Sequence, residues 1–160
     1  MDKYTWVDIG SSFLPDEVTA AFLFAQMERC DEITNKRLSL WNEYDQARVA
    51  LELENKLARP RVTEGCLHNA HMYYVLLGES IDRGKLISML EGHEVNAVFH
   101  YVPLHKSPAG KKYGRVVGSM ENTERLSARL IRLPMWLGLD IKFVSDIFSS
   151  CVDALHESNS

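Results

Sequence analysis

Cysteine is scarce in this 160-residue chain, with only Cys30, Cys66 and Cys151. An odd number at wide spacing builds no disulfide framework, so reduced thiols are expected. No CxxC pair and no Cys–His zinc spacing occurs, so no metal site is expected either. Long apolar runs are missing too: no stretch reaches the roughly 18–20 residues that a membrane span requires. The first residues, Met1-Asp2-Lys3-Tyr4-Thr5-Trp6, contain no apolar signal-peptide core. The expected location is therefore cytoplasmic, without membrane insertion. Positive charge is not in excess, since the net charge is −4. The densest basic stretch, Lys106 to Arg115, is interrupted by Pro108 and two glycines and reads as a solvated loop. Nucleic acid is thereby disfavoured as a partner. A P-loop, a GxGxxG turn and a GxSxG elbow are all absent, which removes the usual anchors of nucleotide hydrolysis, dinucleotide binding and serine hydrolysis.

The hydrophobic fraction of 46% and charged fraction of 25% fit one globular domain, or a large piece of a bigger protein. From Pro15 to about Leu57 no further proline or glycine interrupts the chain. Val18, Ala21, Phe22 and Ala25, then Ile33, Leu40, Trp41 and Tyr44, recur at helical spacing. Pro15 suits the first turn of a helix, and a break near Cys30–Asp31, with Asp31 as a cap, predicts at least two helices. Arg59-Pro60 ends the helical stretch. A strand is expected over 71–77, then a short helix capped by Asp82, then a strand over 95–102. Residues 103–118 read as a long loop, of a length that is often functional. A helix over 121–132, with Leu126, Leu130 and Ile131 inward, precedes Pro134. Asp140 caps a final helix with Ile141, Val144, Ile147, Phe148, Cys151 and Leu155 on its apolar face. This order predicts an α/β class, an α+β-like small sheet packed with helices, preceded by a long helical segment.

Among candidate site residues, His100 and His105 flank Tyr101, Pro103 and Leu104 where a strand runs into the long loop. Such a place can offer imidazoles to a ligand, or hold two histidines bonded to loop carbonyls. His71 reads as a structural strand histidine. Trp41 and Tyr44 read as core or interface. Arg125, Arg129 and Arg132, at spacings of four and three, would share one helix face, either solvated or anion-binding.

Several ordered segments then carry a resemblance. They are Tyr4-Thr5-Trp6-Val7-Asp8-Ile9-Gly10-Ser11-Ser12-Phe13, Arg37 before Trp41-Asn42-Glu43-Tyr44, and His68-Asn69-Ala70-His71-Met72-Tyr73. Further on come His100 to His105, Ser107-Pro108-Ala109-Gly110, Glu124-Arg125-Leu126 and Arg132-Leu133-Pro134-Met135. The series, from Tyr4 to about Leu155, resembles the DegT/StrS family of sugar aminotransferases, in its C-terminal part.

The resemblance implies the C-terminal part of a fold-type I, pyridoxal 5'-phosphate (PLP)-dependent transferase. Residues 1–60 would form an interdomain and dimer-contact helical segment, and residues 61–160 the C-terminal small domain. The complete enzyme would be a homodimer. It would move an amino group from glutamate to a nucleotide-linked sugar, dTDP-4-keto-6-deoxyglucose, for surface polysaccharide (common antigen) synthesis. Ser12 would correspond to the position that reaches the cofactor phosphate, where the family usually has asparagine. His100, Tyr101, His105 and Arg132 would touch the sugar nucleotide. The Schiff-base lysine belongs to the large domain, and none of the eight lysines here follows a serine or threonine. No catalytic residue, no bound cofactor and no activity are therefore expected of this chain alone. A truncated product, half of a split enzyme and a non-catalytic interaction module all fit that expectation.

Overall fold

A computed structural model describes Thr5, Val7, Asp8, Gly10 and residues 15–158. Helices α1 (Glu17–Met27), α2 (Cys30–Ala47) and α3 (Val49–Leu53) come first. Strand β1 (Leu57–Ala58), strand β2 (Tyr73–Leu77), helix α4 (Arg83–Gly92) and strand β3 (Val98–Phe99) follow. A 3-10 turn at Leu104–Lys106 leads to α5 (Pro108–Tyr113), α6 (Glu121–Arg129), strand β4 (Leu130–Leu133) and α7 (Ile141–Glu157).

The four strands form one antiparallel sheet in the order β1-β2-β4-β3. Strand β4, late in the chain, is inserted between β2 and β3. Tyr73 pairs with Leu133 and Val75 with Ile131, and all four side chains are buried. Helices α4 and α7 cover that face with Leu86, Leu90, Val144, Phe148, Cys151 and Val152. The alternate residues point the other way. Tyr74 pairs with Arg132, and Leu76 with Leu130, and this second face is only half-buried. An antiparallel sheet permits such asymmetry, because one face can meet water or a partner.

The helix starts follow from their caps. The Asp82 carboxylate accepts from the Lys85 N–H and the Asp140 carboxylate from the Phe143 N–H, satisfying donors that a first turn leaves open. The core also takes in the C-terminal half of α2 and the segment after it: Trp41, Tyr44, Arg48, Leu51 and Leu57 are buried. Tyr44 stacks on Tyr73 with ring centroids 4.9 Å apart and donates to the Pro134 carbonyl at 2.7 Å.

Several expectations need correction. Pro15 precedes the cap rather than entering the helix, because the Asp16 side chain caps α1 through the Thr19 N–H. Asp31 lies inside the first turn of α2, whose cap position is Arg29. The strand expected over 95–102 pairs only at Val98 and Phe99, and the one expected over 71–77 begins at Tyr73. The long loop over 103–118 contains a helix, α5, capped by Ser107 Oγ accepting from the Gly110 N–H at 3.0 Å. Most consequentially, the helix expected to reach Arg132 stops at Arg129. Leu130 and Ile131 belong to β4, because the residue before Pro134 disfavours helical backbone and the segment gains pairing on both sides. Arg125, Arg129 and Arg132 therefore share no helix face.

Candidate functional site

Arg37 on α2 anchors the chain entering β2. Its Nε donates to the Ala70 carbonyl at 2.9 Å and its Nη2 to the His71 carbonyl at 2.6 Å. Ala70 sits at φ 49°, an unusual backbone for a residue with a Cβ, and this clamp helps to hold it there. His71 is thereby fixed at the mouth of a cleft. Its ring is exposed, with Nδ1 3.1 Å from the Asn69 Oδ1.

Arg132 stands on the half-buried face of β4, between its register partners Tyr74 and Val98. Its Nη2 donates to the Phe99 carbonyl at 3.2 Å, while its Nε is buried without an acceptor. The next residue after Phe99 is His100, whose ring meets Tyr101 edge to face at 5.1 Å. Burial, and then the positive charge of Arg132, holds the His100 imidazole below its ordinary pKa. A neutral imidazole can donate from one nitrogen and accept at the other. Beside it a permanent cation and a half-exposed phenol complete a set suited to a polyhydroxylated, anionic ligand.

His105 is held elsewhere. Its Nε2 lies 2.9 Å from Glu124 Oε1 on α6, so that nitrogen carries the proton, since a carboxylate only accepts. Lys106 Nζ approaches the other oxygen at 2.6 Å, and the hydrogen bonds from Lys106 first, then from His105, hold the Glu124 carboxyl below its usual range. The structure thus groups His100, Tyr101 and Arg132, and assigns His105 to a separate cluster. Ser12, the expected cofactor contact, lies outside the described residues. Sequence reasoning did not single out Asn96 and Trp136, which line the cleft beside His71 and Arg132. A tryptophan between Pro134 and Gly138, one bend beyond a strand, was the available signal.

The described residues do not fit PLP by themselves. A Schiff-base lysine needs an environment that lowers its pKa. Among the described lysines only Lys56 is not exposed, and the carboxylates of Asp153 and Glu54, at 2.7 and 2.6 Å, raise its pKa instead.

The two-layer unit, with its four-stranded antiparallel sheet and preceding helical arm, matches part of a solved aminotransferase. The crystal structure of the aminotransferase TlmJ from Streptoalloteichus hindustanus superposes with a TM-score of 0.73 at 26% identity, over 86% of this chain and 37% of that one. The model of the DegT/DnrJ/EryC1/StrS aminotransferase family matches residues 1–152, and the chain belongs to that family. It is 27% identical to the dTDP-4-dehydro-2,3,6-trideoxy-D-glucose 4-aminotransferase of Saccharopolyspora spinosa, over 91% of this chain. It is 28% identical to the dTDP-3-amino-3,4,6-trideoxy-alpha-D-glucose transaminase of Micromonospora megalomicea subsp. nigra, over 89%. The chain spans 37% of the length of each of these two relatives. No described helix is long and apolar enough to cross a membrane.

Proposed function

We propose that this chain is the C-terminal portion of a PLP-dependent, cytoplasmic sugar aminotransferase that works as a homodimer. The complete enzyme transfers an amino group from glutamate to a nucleotide-linked 4-keto-6-deoxy sugar, in the first instance dTDP-4-keto-6-deoxyglucose, for surface polysaccharide such as common antigen. Residues 1–60 serve as the interdomain and dimer-contact segment and residues 61–160 as the small domain. The observation that carries this reading is the convergence of His100, Tyr101 and Arg132 at the β3–β4 end of the sheet, within a chain of this family. In it His100 and Tyr101 hold sugar hydroxyls, Arg132 faces the anionic part of the nucleotide, and His105 supports the loop from its Glu124 contact. Ser12 reaches the cofactor phosphate. The lysine chemistry belongs to the region of the family that this chain does not match, so the isolated chain is inactive.

The test joins this chain to the lysine-bearing region of a family member and follows glutamate-dependent amination of a panel of nucleotide keto sugars. Amination that falls at least about tenfold in His100→Ala and Tyr101→Phe, a loss of hydrogen bonds worth about 1.4 kcal/mol or more, is the expected result. Full activity in both variants sinks the site. A second reading, a non-catalytic interaction module or one half of a split enzyme, is favoured by α1, whose apolar residues are all exposed. A concentration-independent monomer in size-exclusion chromatography, with no capture of a lysine-bearing half, removes it.

A further inference from the structure

The chain entering β2 holds one imidazole in a fixed state. Arg37 binds the Ala70 and His71 carbonyls with two nitrogens of one guanidinium, at 2.9 and 2.6 Å, and Ala70 keeps its positive φ of 49° beside them. Asn69 then fixes the ring of His71. Its Oδ1 accepts from the His71 backbone N–H at 3.2 Å, which identifies that atom as the carboxamide oxygen, because an amide NH2 group only donates. The same oxygen lies 3.1 Å from His71 Nδ1. An oxygen without a proton can only accept, so in the neutral imidazole Nδ1 carries the hydrogen and Nε2 the lone pair. Among the described residues Nε2 has no partner, and the ring is exposed. Backbone and ring are both held, and one acceptor of fixed direction stays open at the mouth of the cleft. Little freedom remains to be lost when a donor meets it.

The cleft decides which donor that is. It has a volume of about 370 Å³, and His71, Asn96, Arg132 and Trp136 are among its lining residues. None of the lining residues carries a carboxylate. An ammonium group would therefore enter without a counter-charge and beside the Arg132 guanidinium, which repels it. A metal ion meets the same repulsion, and the described residues include no group of three His, Cys, Asp or Glu side chains able to hold one. A neutral hydroxyl meets neither obstacle. Its hydrogen suits Nε2, and its oxygen can accept in turn from a carboxamide such as that of Asn96. We propose that His71 is a specificity-determining residue, an acceptor that reads one hydroxyl of the ligand in this cleft, with Asn69 and Arg37 as its positioning residues. A ligand without that hydroxyl leaves the acceptor unpaired and is disfavoured. That the hydroxyl belongs to a nucleotide-linked sugar rests on the aminotransferase reading; the fixed tautomer does not.

Long-range proton–nitrogen NMR of the histidine rings in the full 160-residue chain tests both parts. In mildly alkaline solution the His71 ring is expected in the Nδ1–H form. Asn69→Ala should return it to the Nε2–H form that predominates in free histidine. Arg37→Lys, which keeps the charge but loses the two-pronged contact, should shift it part of the way. The ligand probes are dTDP-glucose, its forms lacking one sugar hydroxyl, and dTDP. The Nε2 signal should move with dTDP-glucose, stay in place with dTDP, and stay in place with one of the deoxy forms. His71→Phe should weaken dTDP-glucose about three- to tenfold, the equivalent of one hydrogen bond, and leave that deoxy form unchanged. His71→Gln, whose side-chain carbonyl accepts, should recover part of the loss. Circular dichroism checks that each variant folds. The proposal is overturned by an Nε2–H ring in the unaltered chain, or by a tautomer that folded Asn69→Ala leaves unchanged. It is also overturned if dTDP-glucose leaves the Nε2 signal in place, or if every deoxy form moves it alike. Should the His100 and Tyr101 signals move while that of His71 does not, His71 loses its role and the aminotransferase site stands; should none of them move, both fall.

Discussion

Helices α1 and α7 are both rich in apolar side chains, yet they occupy opposite environments. In α7 most of the apolar residues lie on one stripe: Ile141, Val144, Phe148, Cys151, Val152 and Leu155 are all buried, and of the large ones only Phe143 is half exposed. In α1 they surround the axis: Val18, Phe22, Leu23, Phe24 and Met27 are all more than half exposed, and no residue of the helix is buried. A stripe suits a helix covered on one side, whereas an apolar girdle suits one enclosed from several sides. The two helices therefore mark the edge of what this chain packs for itself. The α4–α7 layer closes its own core, and α1 presents an apolar surface that no described residue buries.

The largest expected effect falls on the closed side. Phe148 is fully buried and its ring lies under the Arg48 guanidinium at 4.5 Å. Phe148→Ala should cost about 3–5 kcal/mol in urea denaturation, through lost transfer energy and the cavity left behind. A loss below about 1 kcal/mol would mean that the α7 layer is far looser than its burial indicates. Next comes Gly110 in α5. A Cβ there would lie 1.6 Å from the Leu104 carbonyl oxygen, so Gly110→Ala must displace the turn that carries His105. About 1–3 kcal/mol is expected, as for other forced overpacking.

Arg48 sharpens the comparison with a change of opposite sign. It is fully buried in the core with its three guanidinium nitrogens unpartnered, and desolvation lowers its pKa to about 10. The Tyr44 and Phe148 rings, at 5.6 and 4.5 Å, offset part of that burial cost. Arg48→Met keeps the length and removes the charge. It should raise stability by about 1 kcal/mol or more, by analogy with buried charges replaced by apolar side chains. A clear loss in the same denaturation assay would show that the aromatic cage outweighs desolvation.

At the proposed site the expected effect is a titration shift. The folded pKa of His100 lies below its ordinary value, so its contribution to stability is complete above the unfolded pKa and lost as pH falls through the folded one. Arg132→Gln removes the smaller, Coulombic cause and leaves burial, the larger. The His100 pKa should rise in NMR titration yet stay below that of an exposed histidine. No movement would place the guanidinium too far from the imidazole to act on it.

These outcomes bear on how much was legible beforehand. Asp82, Asp140 and the apolar stripe of α7 all announced themselves, because caps and one-sided periodicity are local rules. Strand β4 did not. Four residues are too few for alternation to stand out after a helix, and its stability comes from β2 and β3, which are distant in sequence. The clearest local warning was Pro134, which disfavours helical backbone at Leu133. Helix α5 was hidden among prolines and glycines, although Ser107-Pro108 is a cap followed by a first-turn proline. At the site, resemblance supplied His100, Tyr101 and Arg132 as names. Their convergence depends on β4 lying beside β3, so the sequence-based helix over 121–132 misplaced Arg132. Asn96 was hidden for the same reason, and Trp136 offered only its place just after Pro134 as a signal.

The smallest effect on stability is expected in α1. Phe22→Ser removes a side chain that is 71% exposed, so folding of the chain transfers little of it out of water. Global stability should change by no more than about 0.5 kcal/mol, as for most surface substitutions, in contrast to Phe148→Ala on the other helix. Self-association is a different matter. An apolar girdle in water favours any contact that covers it, and replacing Phe22, Leu23 and Phe24 together by serine should shift sedimentation velocity toward the monomer. If the single change instead cost more than about 1 kcal/mol, α1 would have to fold back onto the layer in solution, since only burial on folding gives an apolar residue such a value. The contrast between the two helices would then be one of sequence pattern alone.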